Sequence, residues 1–172
     1  YGPKQSGALY VQAGVALSPL IQGGGQERGL RSGTENVAGA VGLARALEIA
    51  QEMRREESAR LQALQKQFWS ALAGQLPQAV INGSTLHRLP NNIHLTVPGH
   101  DNERMLFGLD EAGIMAAAGS ACSASNEEPS HVLRAMGISK ADAQASLRLT
   151  LGRSTSAADV EATVQALVKL LP

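Results

Sequence analysis

The sequence predicts an α/β chain whose carboxy-terminal part is an α+β small domain, a small sheet covered by helices. Three observations carry that prediction. From Pro77 onward, short stretches of strand pattern alternate with stretches of helical period. Apolar residues make up 44% of the 172 residues, enough for a packed core and too many for a disordered chain. Aromatic residues are only 3%, so that core is aliphatic.

Taken in order, Gly7-Ala8-Leu9-Tyr10-Val11 reads as a short strand. It has nothing before it to pair with, and the chain opens at Tyr1 without methionine, so a chain cut from something longer is expected. Gly14 to Gly33 reads as a loop, because Gly23-Gly24-Gly25 favours neither helix nor strand. Thr34 is the expected N-cap of a helix with Val37, Val41, Ala44, Leu47 and Ala50 on one face. The mixed charges at Glu52, Arg54, Arg55, Glu56 and Glu57 read as a solvated helix surface. Leu61, Leu64, Phe68 and Leu72 form a second helical face, either continuing the first helix or following a bend.

Ala79-Val80-Ile81 reads as a strand closed by Asn82-Gly83, and Asn92 to Val97 as another closed by Pro98-Gly99. Asp101 caps a helix carrying Met105, Leu106 and Leu109, stopped by Gly113. Ile114 to Ala117 is a weak strand, and Gly119 to Asn126 a loop of small residues. Pro129 opens a short helix through Met136, which Gly137 ends. Ser146 to Leu151 alternates as a half-buried strand does. Ser156 and Asp159 are spaced as a capping box before a last helix bearing Val160, Val164, Leu167, Val168 and Leu171. The expected division is residues 1–50 as part of one domain and 51–172 as the small domain.

Composition also narrows function. Lysine plus arginine equals aspartate plus glutamate at 15 each, which gives no support for nucleic-acid or anionic-membrane binding. No apolar run is long enough to span a bilayer, and no secretory pattern opens the chain. The single cysteine excludes an internal disulfide, and a reducing cytoplasm is the expected location.

Three residues stand out as candidates. Cys122 lies among Ser120, Ala121, Ser123, Ala124 and Ser125, with polar Asn126 and Glu127 following. An open loop of that kind suits a reactive thiol, whereas many free cysteines are merely small buried apolar groups. No cation adjoins it in sequence, so groups brought near in space must favour its thiolate. Arg148 alternates with Leu147 and Leu149 and points away from them. Its planar guanidinium suits a carboxylate, although an ordinary surface arginine fits the same pattern. Thr34 follows the glycine loop at the expected helix start, a place suited to a phosphate as well as to plain capping. The four histidines, His87, His94, His100 and His131, have no metal-ligand spacing and read as structural or surface residues.

Four blocks then carry a family resemblance. They are Tyr1-Gly2-Pro3-Lys4 with Gly7 to Val11, and Gly23 to Asn36, including Gln26-Glu27-Arg28-Gly29-Leu30-Arg31-Ser32-Gly33-Thr34. Next come Gly119-Ser120-Ala121-Cys122-Ser123 with Glu128-Pro129-Ser130-His131-Val132-Leu133, and last Leu147 to Arg153. In this order the chain resembles the carboxy-terminal portion of group I cysteine desulfurases, within the class V aminotransferases. Gln5 departs from the pattern, standing where the family commonly has glycine, and so does the loop Ser123 to Glu127.

The resemblance implies the small domain of a fold-type I pyridoxal-phosphate-dependent transferase, plus a remnant of the large domain. It implies a parent enzyme that converts L-cysteine to L-alanine, Cys122 receiving the sulfur as a persulfide for iron–sulfur or thio-cofactor assembly. By the same resemblance Arg148 holds the substrate carboxylate, and Thr34 reaches the cofactor phosphate of a partner subunit in a homodimer. The Schiff-base lysine would fall before Tyr1, with Lys4 at the family's second lysine position. These residues alone are therefore expected to lack pyridoxal 5'-phosphate and to be inactive. A second reading is a non-catalytic module that docks a sulfur-acceptor or iron–sulfur scaffold protein. An encoded Ser-x-His-Lys run directly before Tyr1 would favour the first reading, a start codon the second.

Overall fold

The computed structural model describes residues 1–118 and 130–171. The chain divides into two compact units, Tyr1–Arg55 and Glu56–Pro172.

In the first unit the strand expected over Gly7 to Val11 does not form. A strand exists by exchanging hydrogen bonds with a neighbour, and this unit offers none. The glycine-rich stretch folds on itself around Ser32, which is buried. The Ser32 hydroxyl accepts from the N–H of Gly25 at 3.2 Å, and its own N–H donates to the carbonyl of Ile21 at 3.3 Å. The Gln26 side-chain oxygen accepts from the N–H of Gly33 at 3.0 Å. A single 3-10 turn, Glu27–Gly29, lies between them. Gln5 has φ 64°, a left-handed conformation that favours glycine, which accounts for the glycine expected at that place.

Helix α1 runs from Val37 to Gln75. Asn36 rather than Thr34 is its cap: the Asn36 side-chain oxygen accepts from the N–H of Gly39 at 2.9 Å. Asparagine reaches the third helical N–H as well as any residue does, so the helix starts there and leaves Thr34 two residues outside. The two apolar faces belong to this one helix, with no break between them. The first face is exposed, Val37 at 68%, Val41 at 65% and Leu47 at 68%.

In the second unit the later turns of α1 bury Leu61, Leu64, Phe68 and Leu72. Strand β1 (Val80–Ile81), strand β2 (Asn92–Thr96) and strand β3 (Ser146–Thr150) form an antiparallel sheet in the order β1-β2-β3. Alternation turns Ile93, Leu95, Leu147 and Leu149 to one face, where they join Phe68 and Leu72 in the core. Helix α2 (Asn102–Glu111) and helix α5 (Ala157–Leu170) add Met105, Leu109, Val164 and Leu167 to it. The Asp101 cap forms, its carboxylate accepting from the N–H of Arg104 at 3.0 Å. The capping box at Ser156 and Asp159 forms as well.

The stretch Ile114 to Ala117 makes only one bridge, Ala117 to Arg148. Ala116 and Ala117 give it little of the branched surface that favours strand pairing. Helix α3 (His131–Ala135) matches the expected short helix, while helix α4 (Lys140–Gln144) was not foreseen. Five residues are too few to show a period, although Ser139 caps α4 by accepting from the N–H of Asp142 at 3.1 Å. No helix among the described residues is long and apolar enough to cross a membrane.

Candidate active site

The sheet has a second face, opposite the core, and it is polar. The register pairs His94 with Arg148 and Thr96 with Ser146, so these four side chains share that face. Asn82, just beyond β1, joins them and is buried. Its side-chain amide donates to Nδ1 of His94 at 2.8 Å and to Oγ1 of Thr96 at 2.9 Å. The hydroxyls of Thr96 and Ser146 lie 2.7 Å apart, and Ser146 donates to the Asp142 carbonyl of α4 at 2.7 Å. The bond to α4 thus gives one buried hydroxyl of this face an acceptor, as a polar group buried away from water requires.

Arg148 is half-buried beside this network. Its backbone is held on both sides, by β2 and by the bridge in which its N–H donates to the Ala117 carbonyl at 2.7 Å. Among the described residues no carboxylate pairs with it. Arg88 approaches from the loop between β1 and β2. Its Nε donates to the Ser84 carbonyl at 2.8 Å, a second nitrogen donates to the Asn82 carbonyl, and Nη1 is buried without a partner. Burial, followed by the positive charges of Arg148 and Arg88, holds His94 below its ordinary pKa and so keeps its imidazole neutral. A half-buried cation that faces no acid among the described residues, flanked by fixed dipoles, is suited to an anion.

The other two candidates stand apart from this face. Thr34 is exposed in the first unit, between Gly33 and the Asn36 cap. Cys122 lies outside the described residues. The sequence reading missed Asn82, Arg88 and His94. The signal was present for His94: Asn92-Ile93-His94-Leu95-Thr96 alternates in the same way as Ser146-Leu147-Arg148-Leu149-Thr150. In-phase polar positions on two paired strands share one face.

The aminotransferase class-V family pattern matches residues 1–163, and the chain belongs to that family. Within the family it is similar to proteins named cysteine desulfurase. The Clostridium botulinum cysteine desulfurase IscS is 41% identical over 173 residues, covering 99% of this chain and 44% of that relative. Cysteine desulfurase IscS 1 of Archaeoglobus fulgidus is 43% identical over 167 residues, covering 97% and 44%. Among solved structures, a NifS-like protein from Rickettsia africae superposes with a TM-score of 0.79 at 31% identity, covering 91% of this chain and 40% of that one. A second NifS-like protein gives a TM-score of 0.80 at 34% identity, covering 94% and 41%. The expected fold class is therefore met: this is a mixed α/β chain of the NifS-like kind. The chain spans less than half the length of the curated relatives it matches.

Proposed function

We propose that this chain is part of a cysteine desulfurase, in which the polar face of the sheet receives the substrate carboxylate at Arg148. The observation that carries the reading is the half-buried guanidinium that no acid among the described residues neutralises, in a chain 41% identical to a cysteine desulfurase over 99% of its length. The backbone bonds to β2 and Ala117 fix the root of Arg148, so its fork meets a carboxylate at little entropic cost. In this reading Cys122 takes the sulfur of L-cysteine as a persulfide and L-alanine is released.

Pyridoxal 5'-phosphate is the cofactor this reading requires; when bound, it supplies the electron withdrawal that loosens the carbon–sulfur bond. The donors present fit its phosphate. Thr34 offers an exposed hydroxyl just ahead of the amino-terminal end of α1, where helix N–H groups favour an anion. Thr34 serves the phosphate of a partner subunit, so the functional protein is a homodimer. Residues 1–172 by themselves hold no cofactor and release no sulfide.

A second role, docking of a sulfur-acceptor or scaffold protein, is favoured by one feature. Leu106, Phe107, Ile114 and Met115 line a shallow groove of about 460 Å³ between Glu103 and Asp110. Phe107 is 72% and Met115 91% exposed, an unusual apolar surface for a chain with so few aromatic residues.

The test is sulfide release from L-cysteine with pyridoxal phosphate and a reductant. The full-length protein is expected to be active, Cys122→Ala inactive, and Arg148→Ala raised in KM by about 10- to 100-fold. Full activity in Cys122→Ala would overturn the assignment of the sulfur-receiving residue. An unchanged KM in Arg148→Ala would overturn the carboxylate site.

A further inference from the structure

The proposed carboxylate site contains a neighbour that its assignment leaves unused. His94 is paired across the ladder with Arg148, close enough for the two side chains to act on the same ligand. Two cations act on it, Arg148 on β3 and Arg88 from the β1–β2 loop, and both disfavour its protonation. Asn82 settles the remaining choice. Its amide N–H donates to Nδ1 of His94 at 2.8 Å, so Nδ1 is the acceptor and a neutral ring must carry its proton on Nε2. Asn82 is itself held by its side-chain amide, which donates to Oγ1 of Thr96 at 2.9 Å, and by its backbone N–H, which donates to the carbonyl of His94 at 3.0 Å. These bonds favour one tautomer, and they do so on the face that bears Arg148.

We infer that His94 is a second ligand for the substrate carboxylate, giving one N–H from Nε2 to an oxygen that Arg148 also binds, with Asn82 as the positioning residue that sets its tautomer. This rests on the carboxylate reading of Arg148. The arrangement has a chemical reason. A lone arginine binds carboxylates, phosphates and sulfate alike, whereas a neutral donor at a fixed angle beside it favours a small planar anion. A neutral imidazole adds that donor without a third positive charge on a face that already carries two arginines.

The experiment uses the full-length protein with L-cysteine as substrate. His94→Phe preserves the ring shape and removes the donor; KM is expected to rise roughly tenfold with kcat within about twofold. His94→Gln, which restores an N–H, should recover most of that loss, a rescue that a merely structural role does not give. The wild-type protein supplies a readout independent of whether a variant folds. In its 15N spectrum His94 should carry the proton on Nε2, and that resonance should shift when L-alanine is added. A proton on Nδ1, no shift with L-alanine, or an unchanged KM in a folded His94→Phe protein would each overturn the inference. Arg148→Ala, run in parallel, separates the two ideas. Raised KM there with a silent His94→Phe removes only the role of His94, while an unchanged KM there removes the carboxylate reading itself.

Discussion

Leu47 and Phe68 belong to the same helix, yet one is 68% exposed and the other 1%. They mark two regions built by different rules. From Glu56 onward the apolar residues close on one another: Phe68, Leu72, Ile93, Leu95, Leu109 and Leu147 are each almost wholly buried. In residues 1–55 the large apolar side chains, among them Tyr10 at 88%, Leu20 at 100% and Val41 at 65%, remain exposed, and Ser32 alone is buried. The second region supplies its own driving force for folding, while the first carries the pattern of a buried helix that no described residue covers. Periodicity thus reports that a helix face is meant to be covered, but not by what. Under the reading proposed above, the remaining polypeptide and a second subunit cover it.

The largest expected effect tests the region that is complete. Phe68→Ala removes a ring from the centre of the core and leaves a cavity that the sheet and α5 can only partly fill. It should cost about 3–5 kcal/mol in urea unfolding of the second region. A cost below about 1 kcal/mol would mean that the core is not the unit of stability described.

The polar face allows a smaller test. His94 is held below its ordinary value of 6.5 in the folded protein by burial and by Arg148 and Arg88. The unfolded chain therefore takes up its proton first as pH falls. Stability should be fully present above about pH 6.5 and should decline as pH drops toward the lower folded pKa. The loss should be less than about 1 kcal/mol, because the ring is half-exposed and solvent screens it. Urea midpoints across that window, compared with those of His94→Gln, check the sign; a midpoint that rises on acidification would refute it.

How much of this was legible in the sequence follows the same division. The capped helices α2 and α5, strand β2 and strand β3 could be read directly, because each combines a regular period with a local stop or start signal. The strand expected at Gly7 to Val11 failed because a local pattern cannot supply a pairing partner. Thr34 was passed over as a cap because Asn36, two residues on, has the better reach. Of the candidate site, Arg148 was legible from alternation. The Asn82, His94 and Arg88 cluster was not, since it needs the register between strands and the path of the β1–β2 loop, and no single stretch of sequence carries those.

The smallest expected effect is also the one that sharpens the comparison most. In the 172-residue chain Leu47→Ala should change stability by no more than about 0.5 kcal/mol, because an exposed leucine loses little when truncated and alanine suits a helix at least as well. The same substitution in the full-length protein should cost about 2–5 kcal/mol if the face of Val37, Val41 and Leu47 is packed there. Urea unfolding of the two pairs of proteins gives that difference directly. Equal, small costs in both would show that the face stays open to solvent in the longer protein, and the apolar pattern in residues 37–50 would then need an explanation other than burial. A large cost in the longer protein alone would show that one helix takes its two faces from two sources, the second region covering Phe68 and the rest of the protein covering Leu47.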